Sequence, residues 1–210
     1  MANTSRLLFV GNSFTFRNDL PGLIAQLAPV PIQTQMIVAG GASLRQHINS
    51  GAVQAALDNA PWDRVILQEQ STLPFKSPAR FAESVRELDE LIRGHGAQTA
   101  LYQTWARQNA PETQDALSGE YAKMAQELGA LLVPVGEAWQ AVLREWPEAP
   151  LYDADGSHPS PAGSYLAACV FAAALWQKNP IGAPLPEKLK IEDAARLQTA
   201  AWRTLDSGCD

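Results

Sequence analysis

The chain has 210 residues, of which 46% are hydrophobic and 18% charged, and this composition predicts one folded domain spanning 1–210 rather than a disordered or fibrous protein. Its formal charge is −6, from 16 Lys and Arg against 22 Asp and Glu, and its basic residues form no run longer than a pair. A nucleic-acid partner is not expected, because phosphate binding needs a concentrated positive face. Two cysteines are too few for a disulfide framework.

Neither a secretory leader nor a membrane span is visible in the sequence. The first ten residues contain one arginine and a run of only four apolar residues. The most apolar stretch, residues 165–176, is twelve residues long and therefore too short to cross a bilayer. We expect a cytoplasmic protein without a membrane partner, and the sequence does not indicate an oligomeric state.

Five short apolar runs, each followed by glycine or polar residues, predict five β-strands. The runs cover residues 7–10, 35–38, 65–67, 99–102 and 131–135. Continuous apolar character is typical of strands that are buried on both faces, as they are in parallel sheets.

Segments with helical periodicity or continuous apolar character lie between and after these strands. Helices are predicted at 20–27, 44–59, 78–94, 112–128, 137–145, 161–177 and 191–204. Alternating strands and helices predict an α/β fold, in which a parallel sheet carries helices on both faces. In such folds ligands bind outside the carboxyl ends of the strands, so the residues that follow each strand are the candidate site.

The first two strands are followed by glycine-containing turns. Gly11 allows a sharp turn that would place Ser13 at the mouth of the sheet, near backbone N–H groups that can face a developing negative charge. The alternative is that Ser13 only caps a helix. Gly40 and Gly41 would bring the backbone close to Ser13, or would simply form a tight turn.

Polar and aromatic residues mark the ends of the third and fourth strands. Gln68 and Gln70 carry amides that could donate hydrogen bonds to an oxyanion, or that merely satisfy the end of the strand. Tyr102 and Trp105 are candidates for stacking on a sugar ring or lying against an acyl chain, and core packing is the alternative for both.

The segment from Asp155 to Pro161 contains glycine and two prolines and is the strongest candidate for chemistry. Asp155 lies three residues before His158, so its carboxylate can reach Nδ1–H of the imidazole within one turn. Asp153 lies five residues before the histidine and is the less suitable acid. A surface turn is the alternative, and a calcium loop lacks further acidic ligands at the required spacing.

The other two histidines have structural interpretations. His47 is predicted to be a helix-surface residue and His95 to be a cap at the carboxyl end of a helix. The sequence also lacks zinc-ligand spacing, a Walker motif, a dinucleotide-binding glycine motif and the Gly-x-Ser-x-Gly elbow, so neither a metal nor a nucleotide cofactor is predicted.

Three blocks of residues resemble the SGNH (GDSL-type) hydrolase superfamily in their order and separation. They are Gly11-Asn12-Ser13, Gly41 and Asp155-Gly156-Ser157-His158. Two departures stand out: the first block reads Gly-Asn-Ser rather than Gly-Asp-Ser, and a glutamine stands where the family has an asparagine after the third strand. The resemblance implies a three-layer α/β/α sandwich, flavodoxin-like, with a five-stranded parallel sheet and without metal or organic cofactor.

The resemblance also implies ester hydrolysis of a small-molecule substrate. Ser13 would be the nucleophile, His158 the general base and Asp155 the acid that orients it. The favoured substrate is a small acyl ester, above all an acetyl ester, and an acetylated carbohydrate is one such candidate. Alternatives on the same scaffold are a catalytically silent carbohydrate- or ligand-binding module and an acyltransferase.

The oxyanion of the reaction would be held by backbone N–H groups and one side chain. The N–H groups of Ser13 and Gly41 are two donors that the resemblance implies. A carboxamide N–H of Gln68 or Gln70 is the third, and the sequence leaves open which of the two supplies it.

Overall fold

The computed structural model describes residues 4–187 and 189–206, and its centre is a sheet of five parallel strands. The strands are β1 (Ser5–Gly11), β2 (Ile32–Val38), β3 (Arg64–Leu67), β4 (Gln98–Gln103) and β5 (Leu131–Pro134). Their order across the sheet is β2-β1-β3-β4-β5, and every neighbouring pair is parallel. The predicted α/β/α architecture with a five-stranded parallel sheet is confirmed.

Helices lie on both faces of this sheet. They are α1 (Ser13–Phe16), α2 (Leu20–Leu27), α3 (Leu44–Asn49), α4 (Ala52–Asn59), α5 (Leu73–Lys76), α6 (Pro78–Gly94), α7 (Gln114–Leu128), α8 (Val135–Glu145), α9 (Pro161–Trp176) and α10 (Ile191–Asp206). Short 3₁₀ turns cover Arg17–Asp19 and Pro111–Thr113. In the part of the chain that the structure describes, no helix combines the length and the apolar character needed to cross a membrane.

The sheet separates two hydrophobic cores, because successive residues of a strand point to opposite faces. In β1, Leu7 and Phe9 belong to the core formed with α2, α8, α9 and α10, whereas Leu8 and Val10 belong to the core formed with α4, α6 and α7. All four residues are buried, which explains why this strand is a continuous apolar run in the sequence.

Two predictions of secondary structure require correction. The helix predicted over 44–59 is two helices, α3 and α4. They are separated at Gly51, whose φ of +70° lies outside the helical region and interrupts the helix. Strand β2 is not buried on both faces: it lies at the edge of the sheet, and residues 33–36 are exposed. Edge strands border solvent and commonly carry polar side chains, which discourage pairing with another chain.

The predicted buried helix near the C-terminus is confirmed as α9. Ser160 caps it by accepting a hydrogen bond from the Gly163 amide. A Cβ on Gly163 would lie 2.3 Å from the Leu151 carbonyl oxygen and 2.4 Å from the Trp139 ring. This close approach packs α9 against the segment that leads to His158.

Candidate active site

Ser13 stands at the carboxyl end of β1, as its position after Gly11 predicts. It is the first residue of α1, and its Oγ lies 2.8 Å from Nε2 of His158. The helix cap is Asn12, whose Oδ1 accepts a hydrogen bond from the Phe14 amide at 3.1 Å. The Ser13 hydroxyl is therefore not used as the helix cap, which was the alternative interpretation of this residue.

Asp155 and His158 form the second half of the site. Oδ2 of Asp155 is hydrogen-bonded to Nδ1 of the imidazole, while Oδ1 accepts the backbone N–H groups of Ser157 and His158 at 2.9 Å each. The Asp155 carboxylate can only accept a hydrogen bond, so Nδ1 of His158 carries the proton. Nε2 is then unprotonated and accepts a hydrogen bond from the Ser13 hydroxyl. The bond to the imidazole, with the two backbone bonds, holds the pKa of Asp155 well below its ordinary value.

Asp153, the rival acid, points elsewhere. Its carboxylate forms an ion pair with Arg17, and its backbone N–H donates to the His158 carbonyl oxygen at 2.8 Å. Asp153 therefore shapes the loop, whereas Asp155 is the carboxylate that contacts the imidazole.

The loop that carries Asp155 and His158 is anchored by the segment after β4. Nε1 of Trp105 donates to the Ser157 carbonyl at 3.0 Å, and the backbone N–H of Gln108 donates to the Gly156 carbonyl at 2.8 Å. These bonds hold the two central residues of the Asp155–His158 turn and leave the side chains of Asp155 and His158 free to contact each other.

The two aromatic residues proposed as substrate contacts are packed inside the protein. Trp105 is stacked between Phe14 at 4.8 Å and Trp139 at 3.9 Å, measured between ring centroids. Tyr102 is fully buried, its hydroxyl faces the Phe14 carbonyl oxygen, and burial raises the pKa of this hydroxyl. Since neither ring is accessible, the core-packing alternative describes both residues, and we do not retain them as substrate contacts.

Gln68 is committed to holding the loop that carries Ser13. It is fully buried, and its Oε1 accepts hydrogen bonds from the backbone N–H of Asn12 at 2.9 Å and from Oγ1 of Thr15 at 3.0 Å. Its Nε2 donates to the carbonyl oxygen of Glu69. Both ends of this amide are therefore engaged in holding the chain around Ser13 and Glu69.

Gln70 lies in the next turn and uses only one end of its amide there. Its Oε1 accepts from the backbone N–H groups of Thr72 at 2.9 Å and Leu73 at 3.1 Å, which start α5. Only Oε1 of Gln70 takes part in these hydrogen bonds, and the turn does not use the Nε2 donor.

Gly41 lies in a turn that is tied to the loop of Ser13. Nδ2 of Asn12 donates to the Ala42 carbonyl at 3.0 Å, and the Ala39 amide reaches the Gly11 carbonyl at 3.4 Å. The φ of Gly41 is +67°, a left-handed conformation that favours glycine. The carboxyl ends of β1 and β2 thus bring Gly41 next to the Ser13 segment.

The hydrogen bonds of Asn12 account for the asparagine in the Gly11-Asn12-Ser13 block. An asparagine both accepts from Phe14 and donates to Ala42, whereas an aspartate offers no donor. Asn12→Asp is expected to destabilise the fold by about 1–3 kcal/mol, because a buried carboxylate would face the Ala42 carbonyl. Denaturant unfolding of the two proteins at pH 7 measures the difference, and an equally stable variant would contradict this account of Asn12.

The surface position predicted for His47 is wrong, and the sequence assigns no role to Glu69. His47 is not on the surface: it is buried on α3, and its Nε2 donates to the Gly11 carbonyl at 2.7 Å. Its position three residues after the buried Leu44 was the signal for an inward face. Glu69 is buried as well, and the polar stretch around it contains no pattern that predicts burial. His95 caps the end of α6 as predicted, through Nδ1 and the Leu91 carbonyl oxygen.

The sheet order and the position of the site define a class of protein. A parallel sheet between two helical layers, with its polar residues at the carboxyl ends of the strands, is a flavodoxin-like α/β/α sandwich. Comparison with known proteins then identifies the family within that class.

Several solved structures are similar to this chain over most of its length. A protein from Slackia heliotrinireducens classed among the SGNH hydrolases shares 37% sequence identity with a TM-score of 0.70, covering 82% of this chain and 100% of the other. A DUF4886 family protein from Bacteroides uniformis matches at 21% identity and a TM-score of 0.74, over 99% and 97%. A variant of Axe2, an acetyl-xylooligosaccharide esterase from Geobacillus stearmophilus, matches at 18% identity and a TM-score of 0.60, over 84% and 95%.

Identity of 37% over the whole Slackia protein shows the family: this chain belongs to the SGNH hydrolases, as the motif resemblance implied. The two more distant likenesses show the fold alone. No family model and no curated protein sequence matches the chain.

Proposed function

We propose that this hydrolase is a serine esterase that cleaves small acyl esters, with Ser13, His158 and Asp155 as its catalytic triad. The observation that carries the proposal is the continuous chain of hydrogen bonds from Ser13 Oγ through the imidazole to the Asp155 carboxylate. This arrangement gives a neutral imidazole the tautomer that can take a proton from the serine.

The geometry supports a two-step reaction. Ser13 Oγ attacks the ester carbonyl carbon while Nε2 of His158 takes the hydroxyl proton, and the tetrahedral intermediate then expels the alcohol, which receives that proton. Water attacks the resulting acyl-serine and gives a proton to His158, which returns it to Ser13 Oγ as the bond from Oγ to the acyl carbon breaks and the carboxylic acid leaves. Asp155 remains ionised and stabilises the imidazolium in both steps.

Three donors are proposed for the oxyanion: the backbone N–H groups of Ser13 and Gly41, and Nε2 of Gln70. Of the two glutamines that the sequence left open, Gln70 is favoured because Gln68 already uses its own N–H on the Glu69 carbonyl. The turn of Gly41 is held next to Ser13 by Asn12, which supports its role as the second donor.

The proposed substrate class is a small acyl group, first of all acetyl, on a larger alcohol such as a carbohydrate. The side chains of His158 and Asp155 are 27% and 46% exposed, so the site opens to solvent and leaves space for a bulky alcohol. The similarity to an acetyl-xylooligosaccharide esterase supports the same class.

A chain-length series tests this proposal. We expect turnover of p-nitrophenyl acetate and butyrate to exceed that of the octanoate, and we expect acetate release from acetylated xylooligosaccharides. A fluorophosphonate probe should add covalently to Ser13, which the intact mass and a peptide map will detect. Failure of every ester together with the absence of an adduct would overturn the esterase proposal.

The same measurements separate the two alternative functions. A silent carbohydrate-binding module would bind acetylated sugars without turnover or adduct. An acyltransferase would form the adduct but partition the acyl group to an added alcohol in preference to water. The open site favours water as the acceptor, because transferases must exclude it.

A further inference from the structure

Glu69 is a buried carboxyl group between two loops of the site, and the triad does not use it. Only 1% of its surface is exposed. Its Oε1 accepts hydrogen bonds from the backbone N–H groups of Leu44 at 3.1 Å and Gln70 at 2.6 Å. Its own backbone N–H donates to the Tyr121 hydroxyl at 3.2 Å, which fixes the residue against α7.

The two amides that Glu69 holds belong to different loops. Leu44 directly follows the turn that contains Gly41 and starts α3, while Gln70 starts the turn after β3. One carboxyl oxygen therefore joins the loops that carry two of the three proposed oxyanion donors. Asn12 ties the Gly41 turn and Gln68 to the loop of Ser13, and Glu69 adds the direct link between the Gly41 turn and Gln70 that sets the separation of those donors.

The second carboxyl oxygen of Glu69 is buried and has no hydrogen-bond partner among the described residues. Burial raises the pKa of Glu69 to about 7, against the lowering by the two backbone hydrogen bonds and by the charge of Arg45 on α3. Tyr121 on α7 stays protonated, since burial raises the pKa of its hydroxyl. An uncharged carboxyl group fits this environment, and glutamine would reproduce its shape and its accepting oxygen.

We propose that Glu69 is a positioning residue for the oxyanion site: it locks the Gly41 turn to Gln70 and so aims the Gly41 backbone N–H and the Gln70 side-chain Nε2–H at the same point. This inference rests on the proposed esterase function. In the stretch that follows β3, it gives Gln68, Glu69 and Gln70 separate tasks, which are to hold the nucleophile loop, to join the loops and to donate to the oxyanion.

Replacing Glu69 by alanine and by glutamine tests the proposal. For p-nitrophenyl acetate, Glu69→Ala is expected to lower kcat by about 100-fold, the size of effect of a displaced oxyanion donor, with KM within about threefold of wild type. Glu69→Gln keeps the accepting oxygen and is expected to retain kcat within about threefold. The rate of fluorophosphonate labelling should follow kcat in both variants.

Two further variants separate positioning from general stability. Glu69→Asp shortens the side chain by one methylene, so that it cannot reach both amides, and it is expected to lower kcat at least about tenfold even if Glu69→Ala does not fold. Thr99→Val removes a buried hydrogen bond of 2.6 Å to Asp89 near the start of β4. This control should lower the melting temperature and leave kcat unchanged.

The pH dependence of stability gives a second readout. A carboxyl whose pKa is raised on folding contributes stability at acid pH that is lost as the pH rises towards the folded value, here about 7. The melting temperature of the wild type is therefore expected to fall relative to Glu69→Gln by on the order of 5 °C between pH 4.5 and 8. A constant difference would show that Glu69 does not ionise in this range.

The outcomes distinguish this inference from the proposed function. If the wild type is neither active nor labelled at Ser13, the esterase proposal fails and the role of Glu69 fails with it. If Ser13 is required for turnover but Glu69→Ala or Glu69→Asp keeps full kcat, only the positioning role is overturned.

Discussion

Replacing Ser13 by alanine is expected to abolish ester hydrolysis, with a fall in kcat of about 10⁶-fold, the loss seen when the serine of a comparable triad is removed. The reason is that no other hydroxyl is hydrogen-bonded to Nε2 of His158 in the described structure, so the imidazole has no nucleophile to activate. The measurement is p-nitrophenyl acetate turnover by purified wild type and variant at equal concentration.

The stability of the variant provides the control for this result. Ser13 is buried, but Asn12 rather than Ser13 caps the helix, so Ser13→Ala should melt close to the wild-type temperature. The fluorophosphonate adduct should be absent. Turnover that persists at the wild-type rate would mean that another group, or a contaminating enzyme, performs the hydrolysis.

Asp155→Asn is expected to lower kcat by about 10⁴-fold, as the matching change does in serine proteases. Asparagine can still accept the two backbone N–H groups through one oxygen, but its NH₂ would face Nδ1 and favour the wrong imidazole tautomer. A residual rate should remain, because the oxyanion donors do not depend on this carboxylate.

Asp153→Asn is the matched control, since it removes a carboxylate two residues away in the same loop. Asp153 pairs with Arg17 and does not contact the imidazole, so its variant is expected to stay within about tenfold of wild type, a change of only about 1.4 kcal/mol in the barrier. Both variants should be measured on one ester. The reverse order of activities would show that Asp153 is the orienting acid.

Much of the fold was predictable from local pattern. Strand β1 is recognisable because residues such as Leu8 and Phe9 face two different cores, which makes its buried stretch apolar at every position. The apolar pattern located the last residues of the edge strand β2 but did not predict how exposed the strand is. The position of a strand within a sheet depends on partners that are distant in sequence.

The sequence by itself determined the parts of the site that lie within one turn of chain. Asp155 and His158 are three residues apart around Gly156, so their contact was predictable from spacing. Ser13 could be placed at the mouth of the sheet for a similar reason, since Gly11 ends an apolar strand directly before it. Local geometry also favoured Asp155 over Asp153.

Only the tertiary structure decided the hydrogen-bond partners of the polar residues around the candidate site. Gln68 and Gln70 are equivalent in the sequence, yet packing of β3 beside β1 turns Gln68 towards Asn12 and leaves Gln70 in the next turn. His47 and Glu69 became buried because α3 packs over the ends of β1 and β3, where their side chains meet backbone groups from other segments. These contacts join residues 25 to 56 positions apart, and no local pattern specifies a hydrogen-bond partner at that distance.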